Sequence, residues 1–288
     1  MTAAGPPLVE RHVVRVGGGG SVHLRAVAMD GDAGGDASAV PPLVLVHQSP
    51  LSSRRFTPLL AELGSWTRAL APDTPGYGDS PPLATETTVD DLAATLWAAI
   101  DAMAAGPVRI LGRATGAVLA AAMTADRPDR VRHLVLHGVP LYTAEEAQSR
   151  LRDFAPPYVP DEEGTHLQWI WQRVRGEYPW APPELVTSFV ADYLAAGPDF
   201  ATAYRAMWRY NLDDALRTIG DANVRTTLLA GGRDRIGFMH ERARRRITWA
   251  DERVLPEATD FVAEQDPVGF SRLLREVFAE EHLSGHER

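Results

Sequence analysis

Two kinds of hydrophobic pattern alternate along this chain. Val13 to Val16 and Val22 to Val27 are short β-patterned runs separated by Gly17 to Gly20, which reads as a hairpin. Gly31 to Ser38 reads as a Gly/Asp/Ala loop. Leu43 to Val46 is then an unbroken apolar run, the pattern of a strand buried on both faces. Strand character returns at Ala69–Ala71, Val108–Leu111, Val131–Leu136, Val224–Ala230 and Glu252–Leu255. Helical patterns fall between them, at Arg54–Leu63, Thr88–Ala105, Thr115–Thr124, Phe238–Arg246 and Pro267–Phe278. In the second of these, Val89, Leu92, Leu96 and Ile100 make one apolar stripe. Alternating strands and helices predict an α/β fold, a mostly parallel eight-stranded sheet covered on both faces by helices.

The alternation stops between residues 141 and 221, where several helical stretches occur without a convincing strand. Pro156, Pro157 and Pro160 form one punctuating cluster, and Pro179, Pro182 and Pro183 another. These 81 residues carry 13 of the chain's 22 aromatic side chains. An inserted helical lid at 141–221 is therefore expected, with 1–140 and 222–288 forming the core. On the helix Thr165–Arg175, a stripe of Leu167, Ile170, Trp171 and Val174 is set for packing, and Trp169 falls off it. Trp169 is thus a pocket candidate. Tyr204 and Trp208 share a face by their four-residue spacing and join Tyr142 and Trp180 as candidate lining residues.

With 288 residues, 45% hydrophobic, the chain can bury one large core. A net charge of −9 and no dominant basic run argue against nucleic acid or an anionic membrane as partner. Arg242, Arg244, Arg245 and Arg246 interleave with Glu241 and read as a solvated helix face. No cysteine is present, which removes disulfides, thiolate metal sites and thiol nucleophiles. All 29 basic residues are arginine, so Schiff-base chemistry, an internal pyridoxal phosphate and a P-loop lysine are removed too. That arginine bias, with abundant alanine, fits a GC-rich bacterial genome. No cofactor or metal is expected, and the expected partner is a small molecule. The N-terminus lacks the apolar core of a signal peptide and no run reaches a membrane span's length, so a cytoplasmic location is expected. Oligomeric state stays open, a homodimer included.

Four motifs carry chemistry. After the strand Val108–Leu111, Gly112-Arg113-Ala114-Thr115-Gly116 opens a helix; after Leu43–Val46 comes His47-Gln48-Ser49-Pro50. Asp73-Thr74-Pro75-Gly76-Tyr77-Gly78-Asp79-Ser80 follows the next strand, and Gly231-Gly232-Arg233-Asp234 ends another. In order and spacing these resemble the α/β-hydrolase superfamily: the G-x-S-x-G nucleophile elbow, the His-Gly start of the oxyanion loop, a D-x-x-G-x-G-x-S turn and the turn presenting the triad acid. The resemblance covers about residues 8 to 280. It implies that Asp234 is the acid-position residue and that Ala114 stands where the nucleophile would be. Gln48 replaces the usual glycine. Family members place histidine in a stretch like L-P-x-A-G-H-F; this chain reads Leu255-Pro256-Glu257-Ala258-Thr259-Asp260-Phe261, so Asp260 takes the histidine's place.

The implied constellation is Ala114, Asp234 and Asp260, with no hydroxyl to acylate and no imidazole to activate one. His137, at a strand end, is the substitute histidine to examine. His240 lies on a helix, His47 belongs to the oxyanion-loop motif, and His282 and His286 sit in a polar tail. The resemblance also implies an oxyanion hole of backbone N–H groups from Thr115 and the Gln48–Ser49 loop. Two neighbouring carboxylates cannot both ionise freely, so one of Asp234 and Asp260 should have a raised pKa, moderated by Arg113 or Arg233. The alternatives are that Asp260 is an exposed loop residue and Arg113 only ties down a loop. The superfamily includes lyases and cofactor-free enzymes, several recruited to bacterial natural-product pathways. The expected function is therefore a cofactor-free, non-hydrolytic enzyme acting on a bulky carbonyl compound, aromatic or polyketide-like, by C–C bond formation, cyclisation, elimination or isomerisation. An atypical hydrolase with a carboxylate-directed water is the second expectation, and an inactive ligand-binding protein the third.

Overall fold

The computed structural model describes residues 7–30, 40–83 and 86–279. The loop expected at Gly31 to Ser38 and the tail histidines His282 and His286 lie outside them. The first half of the chain forms β1 (Val9–Arg15), β2 (Ser21–Val27), β3 (Leu43–Val46), α1 (Thr57–Leu63), β4 (Ala69–Pro72), α2 (Val89–Met103), β5 (Val108–Arg113), α3 (Thr115–Asp126) and β6 (Val131–His137). Five helices follow among the described residues: α4 (Ala144–Asp153), α5 (Thr165–Glu177), α6 (Pro183–Ala196), α7 (Thr202–Arg209) and α8 (Leu212–Asp221). The alternation then resumes with β7 (Arg225–Gly231), α9 (His240–Arg246), β8 (Asp251–Leu255), α10 (Val262–Gln265) and α11 (Pro267–Ala279).

The strands make one eight-stranded sheet in the order β1-β2-β4-β3-β5-β6-β7-β8. β1, β2 and β4 pair antiparallel, and every later pairing is parallel. The mostly parallel α/β sheet read from the sequence is the one observed. β3 explains its own apolar run: Val44 and Val46 pack with Leu92, Leu96 and Trp97 of α2, whereas Leu43 and Leu45 pack with Leu59, Leu60, Phe270 and Leu274 of α1 and α11. α2 starts at a capping box, in which Thr88 and Asp91 exchange side-chain and backbone hydrogen bonds. α3 is buried all round because it packs among the sheet, α2 and α8, which its small residues allow.

Two helix starts are shorter than the periodicity suggests. Residues 53–56 form a 3-10 turn and the α-helix begins only at Thr57, with Pro58 in its first turn. Likewise Gly237–Met239 is a 3-10 turn before α9.

No strand occurs between β6 and β7 among the described residues. α5 and α6 build a small core of their own, in which Ile170, Val174, Val186, Phe189 and Tyr193 meet Phe200, and Leu51 and Phe261 enter from loops of the sheet. α8 differs: Leu216 and Ile219 join the cluster that holds Val118 of α3. Leu167, expected in the packing stripe of α5, is 45% exposed. No helix among the described residues is long and apolar enough to cross a membrane.

Candidate active site

The turn from β5 into α3 is tight because its glycines leave no room for a side chain. A Cβ on Gly112 would lie 2.2 Å from the Gly116 carbonyl, and one on Gly116 the same distance from the Val46 carbonyl. Ala114, at the tip, has φ 49° and ψ −115°, a conformation that L-residues seldom adopt. Its N–H donates to the His137 carbonyl (3.0 Å), tying the tip to β6. The elbow shape is complete without a serine. Beside it, the Thr115 hydroxyl accepts from Ser49 N–H at 2.6 Å, so that amide is already committed. The N–H groups of Gln48 and Thr115 have no partner among the described residues, and both residues line the cavity over Ala114.

Three loops at the C-terminal ends of β5, β7 and β8 bring Arg113, Asp234 and Asp260 together. Arg113 Nη2 lies 3.0 Å from Asp234 Oδ2 and 3.6 Å from Asp260 Oδ2, with all three side chains under 10% exposed. The contact to Asp234 is an ion pair rather than a well-aligned hydrogen bond, for Oδ2 finds no donor in good geometry. Asp234 Oδ1 accepts from Ile236 N–H (2.8 Å) and Asp260 Oδ1 from Arg235 N–H (2.6 Å). Arg113 also donates to the backbone carbonyls of Asp260 and His137, at 3.2 and 3.3 Å. Gly138 must be glycine here, since its φ is 59° and a Cβ would lie 2.3 Å from Arg113 Nη1.

The two carboxylates are driven apart. Burial pushes Asp260 above the usual carboxylate range; Arg113 opposes this, and the neighbouring Asp234 charge pushes upward again. Burial also acts upward on Asp234, but the Arg113 charge, with the Ile236 N–H bond, outweighs it and holds Asp234 low. Arg113 therefore does more than fasten a loop. Arg233 takes no part: it is exposed and pairs with Glu257.

A cavity of about 70 Å³ stands over Ala114, lined by Gln48, Ser49, Arg113, Thr115, Asp260 and side chains that include Tyr142 and Tyr204. Asp260 reaches this space, and Asp234 sits behind it. Trp208 is one layer back, stacked on Tyr204 with centroids 5.5 Å apart. Trp169 and Trp180 are not on the wall. Trp169 packs against Tyr158 and Phe200 inside the helical segment, and Trp180 is 43% exposed beside Tyr178 and Phe261. Trp169 leaves the stripe of α5 but meets Phe200 and Tyr158 rather than the cavity, and Trp180, in the turn after α5, packs on Phe261.

His137 lines a second cavity, of about 20 Å³, that also touches His47, Glu264 and Phe270 and shares Gln48, Arg113 and Asp260 with the first. Burial, then the Arg113 charge, pulls its imidazole down to about 3, so it is neutral. His47 accepts from Thr74 N–H and contacts the Gln48 carbonyl, a structural position, and His240 pairs with Glu252 away from the cavity. No histidine among the described residues lines the cavity over Ala114. Arg150 and Arg235 do line it, and sequence reasoning missed both. Arg235 had a signal, adjacency to Asp234; Arg150 had none beyond its place on a helix of the aromatic-rich segment.

An outer recess of about 470 Å³ shares Tyr142, Arg150, Phe154, Phe238 and Met239 with this inner cavity. A larger open groove of about 880 Å³, between the turn at Pro75–Leu83 and α6–α7, holds none of the residues above.

Residues 41–267 match the family model described as alpha/beta hydrolase fold. The (E)-2-((N-methylformamido)methylene)succinate hydrolase of Acinetobacter baylyi is 26% identical over 168 residues, 57% of this chain and 62% of that protein. The chain thus matches less than two thirds of that relative's length. Among solved structures, the enol-lactonase from Burkholderia xenovorans superposes with a TM-score of 0.72 at 16% identity, covering 93% of this chain and 100% of that one. The thioesterase domain from the curacin biosynthetic pathway gives 0.67 at 18% identity, covering 92% and 99%. At such identities these two likenesses speak for the fold alone.

Proposed function

This chain belongs to the α/β-hydrolase fold family, and on that premise we propose that it is a cofactor-free enzyme working at a carbonyl group by proton transfer through Asp260, without an acyl-enzyme. The observation that carries the reading is the position of the Asp260 carboxylate, on the wall of the cavity that holds Ala114 and the open N–H groups of Gln48 and Thr115. Those two N–H groups are suited to a carbonyl oxygen, and the missing serine hydroxyl at Ala114 leaves room for a substrate atom. The Asp260 carboxylate removes a proton from the carbon next to the carbonyl. The C–H electron pair moves into the carbonyl, and the oxygen's negative charge rests on the two N–H groups. The enolate carbon then attacks an electrophile or expels a leaving group, and Asp260 gives its proton back. A carboxylate whose pKa is pushed up by burial is a stronger base than a free one, which favours this role. Asp234 and Arg113 are positioning residues that set its charge.

The helices between β6 and β7, residues 141–221, act as a lid over the core formed by 1–140 and 222–288. The inner 70 Å³ admits only the reacting carbonyl end of a substrate. The bulk of an aromatic or polyketide-like molecule would occupy the outer 470 Å³ recess between Tyr142, Phe154 and Phe238. Such a substrate favours bacterial natural-product biosynthesis as the setting. A second reading, hydrolysis by a water that Asp260 directs, is favoured by the Acinetobacter relative, which is named a hydrolase.

The test is solvent exchange. In heavy water the protein should speed the loss of α-proton signals from neutral 1,3-diketones. Asp260→Asn should lower that rate by about 10²–10⁴-fold, the loss expected for a general base. Exchange equal to wild type in Asp260→Asn, or specific fluorophosphonate labelling of a serine, would overturn the reading. Ester cleavage with labelled oxygen entering the acid, lost in Asp260→Asn, would select the second one.

A further inference from the structure

We propose that Arg150 is an anion subsite at the throat between the inner cavity and the outer recess, and that the substrate carries a carboxylate held there while its carbonyl reaches the elbow. The subsite deepens the function proposed above and takes the carbonyl position from it. Arg150 sits on α4 and is one of five residues shared by both spaces, so a molecule filling the two must pass it.

Its guanidinium has no carboxylate within ion-pair distance among the described residues. The reason lies one turn earlier. Glu146, four residues before Arg150, is spaced to be its partner on a helix. Glu146 is instead bound by Arg242 of α9 at 2.6 and 2.9 Å, and also accepts from Thr143 N–H in the cap that starts α4. Clamped in this way, α4 is held at a fixed angle and Arg150 is left to the cavity. Its guanidinium lies over the rings of Phe154 (4.7 Å) and Tyr142 (5.8 Å), which orient it and keep water from one face.

The other cations on the inner wall are committed. Arg113 serves Asp234 and Asp260; Arg235 lies over Tyr178 at 5.3 Å, near Glu177 and Asp260. Those acids offset the charges of Arg113 and Arg235, and on the recess side Glu146 is offset by Arg242, so the guanidinium of Arg150 is left to attract an anion even with Asp153 on the recess rim. An arginine offers a planar fork of donors that suits a carboxylate in two-point contact, and its partly buried position strengthens each bond. The chemical class is therefore a small oxo acid, or a larger molecule ending in one.

The probes are levulinate and acetoacetate against the corresponding neutral amides, followed by saturation-transfer NMR at low ionic strength. Wild type should bind the acids at least about tenfold more tightly than the amides, as a charge-assisted hydrogen bond implies. Arg150→Gln should remove that preference, Arg150→Lys should restore part of it, and Arg245→Gln, on an exposed helix face, should leave it intact. Asp260→Asn should still bind the acids. Loss of solvent exchange with binding intact would thus strike the proton-transfer reading alone. Equal binding of acid and amide by wild type, or an undiminished preference in folded Arg150→Gln, would overturn the subsite.

Discussion

Among the described residues, two buried clusters each set a guanidinium between two carboxyl groups, and they do different things. One is Asp234–Arg113–Asp260 at the ends of the parallel strands. The other is Asp192–Arg55–Glu264: Arg55 Nε lies 3.0 Å from Asp192 of α6, and Arg55 Nη1 lies 3.0 Å from Glu264 of α10. In the second cluster Ser52 donates to Asp192 at 2.9 Å, and Arg55 donates to Ser188 of α6 at 2.7 Å and covers the Phe189 ring. The arms through Asp192 and Ser188 tie α6 to the core, and the arm to Glu264 fastens Arg55 to α10. In the first cluster one carboxylate, Asp260, faces a space that also holds open backbone donors. Burying two acids around one guanidinium is thus no mark of catalysis. What separates the two is the space each faces: Arg55 and Glu264 line only the cavity of about 20 Å³, whereas Asp260 also faces the cavity of about 70 Å³ that shares its wall with the outer recess.

The largest effect should come from removing either guanidinium. Arg113→Met and Arg55→Met each strand two buried carboxylates and should each cost about 3–5 kcal/mol in urea unfolding. Arg55→Met should also let limited proteolysis cut between α4 and α7 before the sheet unfolds, whereas Arg113→Met should not. If both variants are cleaved alike, the second cluster is not the staple described here.

A smaller effect separates the clusters by pH. Burial pushes Glu264 up to about 7, against 4.5 for the free side chain. The folded protein then keeps this proton across a window where the unfolded chain has lost it, so the contribution is full below about pH 4.5 and falls away as pH rises through about 7. Its upper bound is about 3 kcal/mol. Glu264→Gln, permanently neutral, should flatten the stability profile over that window without moving the pH dependence of turnover. Asp234→Asn should do the reverse on the rate: with the neighbouring charge gone, the pKa of Asp260 falls, and the activity limb moves to lower pH. Urea midpoints and rate profiles between about pH 5 and about pH 8 decide it.

The smallest effect concerns the elbow. Ala114 keeps a positive φ of 49° although no nucleophile demands it. Ala114→Gly should stabilise the fold by about 0.5–1 kcal/mol in the same urea assay, because relief of strain exceeds the added chain entropy. A loss of stability would mean that the Ala114 methyl packs in the cavity more than its backbone strains.

Much of this was legible in the chain itself. The short apolar run Leu43–Val46, alternating with longer helical patterns, pointed to a strand in a sheet covered twice, and Gly112 and Gly116 marked the close approach of α3 to β3. The resemblance to α/β-hydrolases, not spacing, put Asp234 and Asp260 after β7 and β8, and it left open whether Asp260 is exposed; the fold buries it. The aromatic wall was not legible. Helical period tells which residues share a face, but which face meets the cavity depends on how the helices pack: Trp169 of α5 turns into the core it shares with α6, while Tyr204 of α7 and Tyr142, just before α4, line the cavity.

Local pattern determined the elements and their order, since each follows from neighbours within a few residues, and the motif resemblance along the chain pointed to the elbow and the two acids. Tertiary structure alone decided the pairings: Arg113 between Asp234 and Asp260, Arg55 between Asp192 and Glu264, and Glu146 drawn to Arg242 so that Arg150 is left facing the throat. An arginine reaches several ångströms in any direction, and which acid it meets is settled by chain segments that come from 96 to 209 residues away.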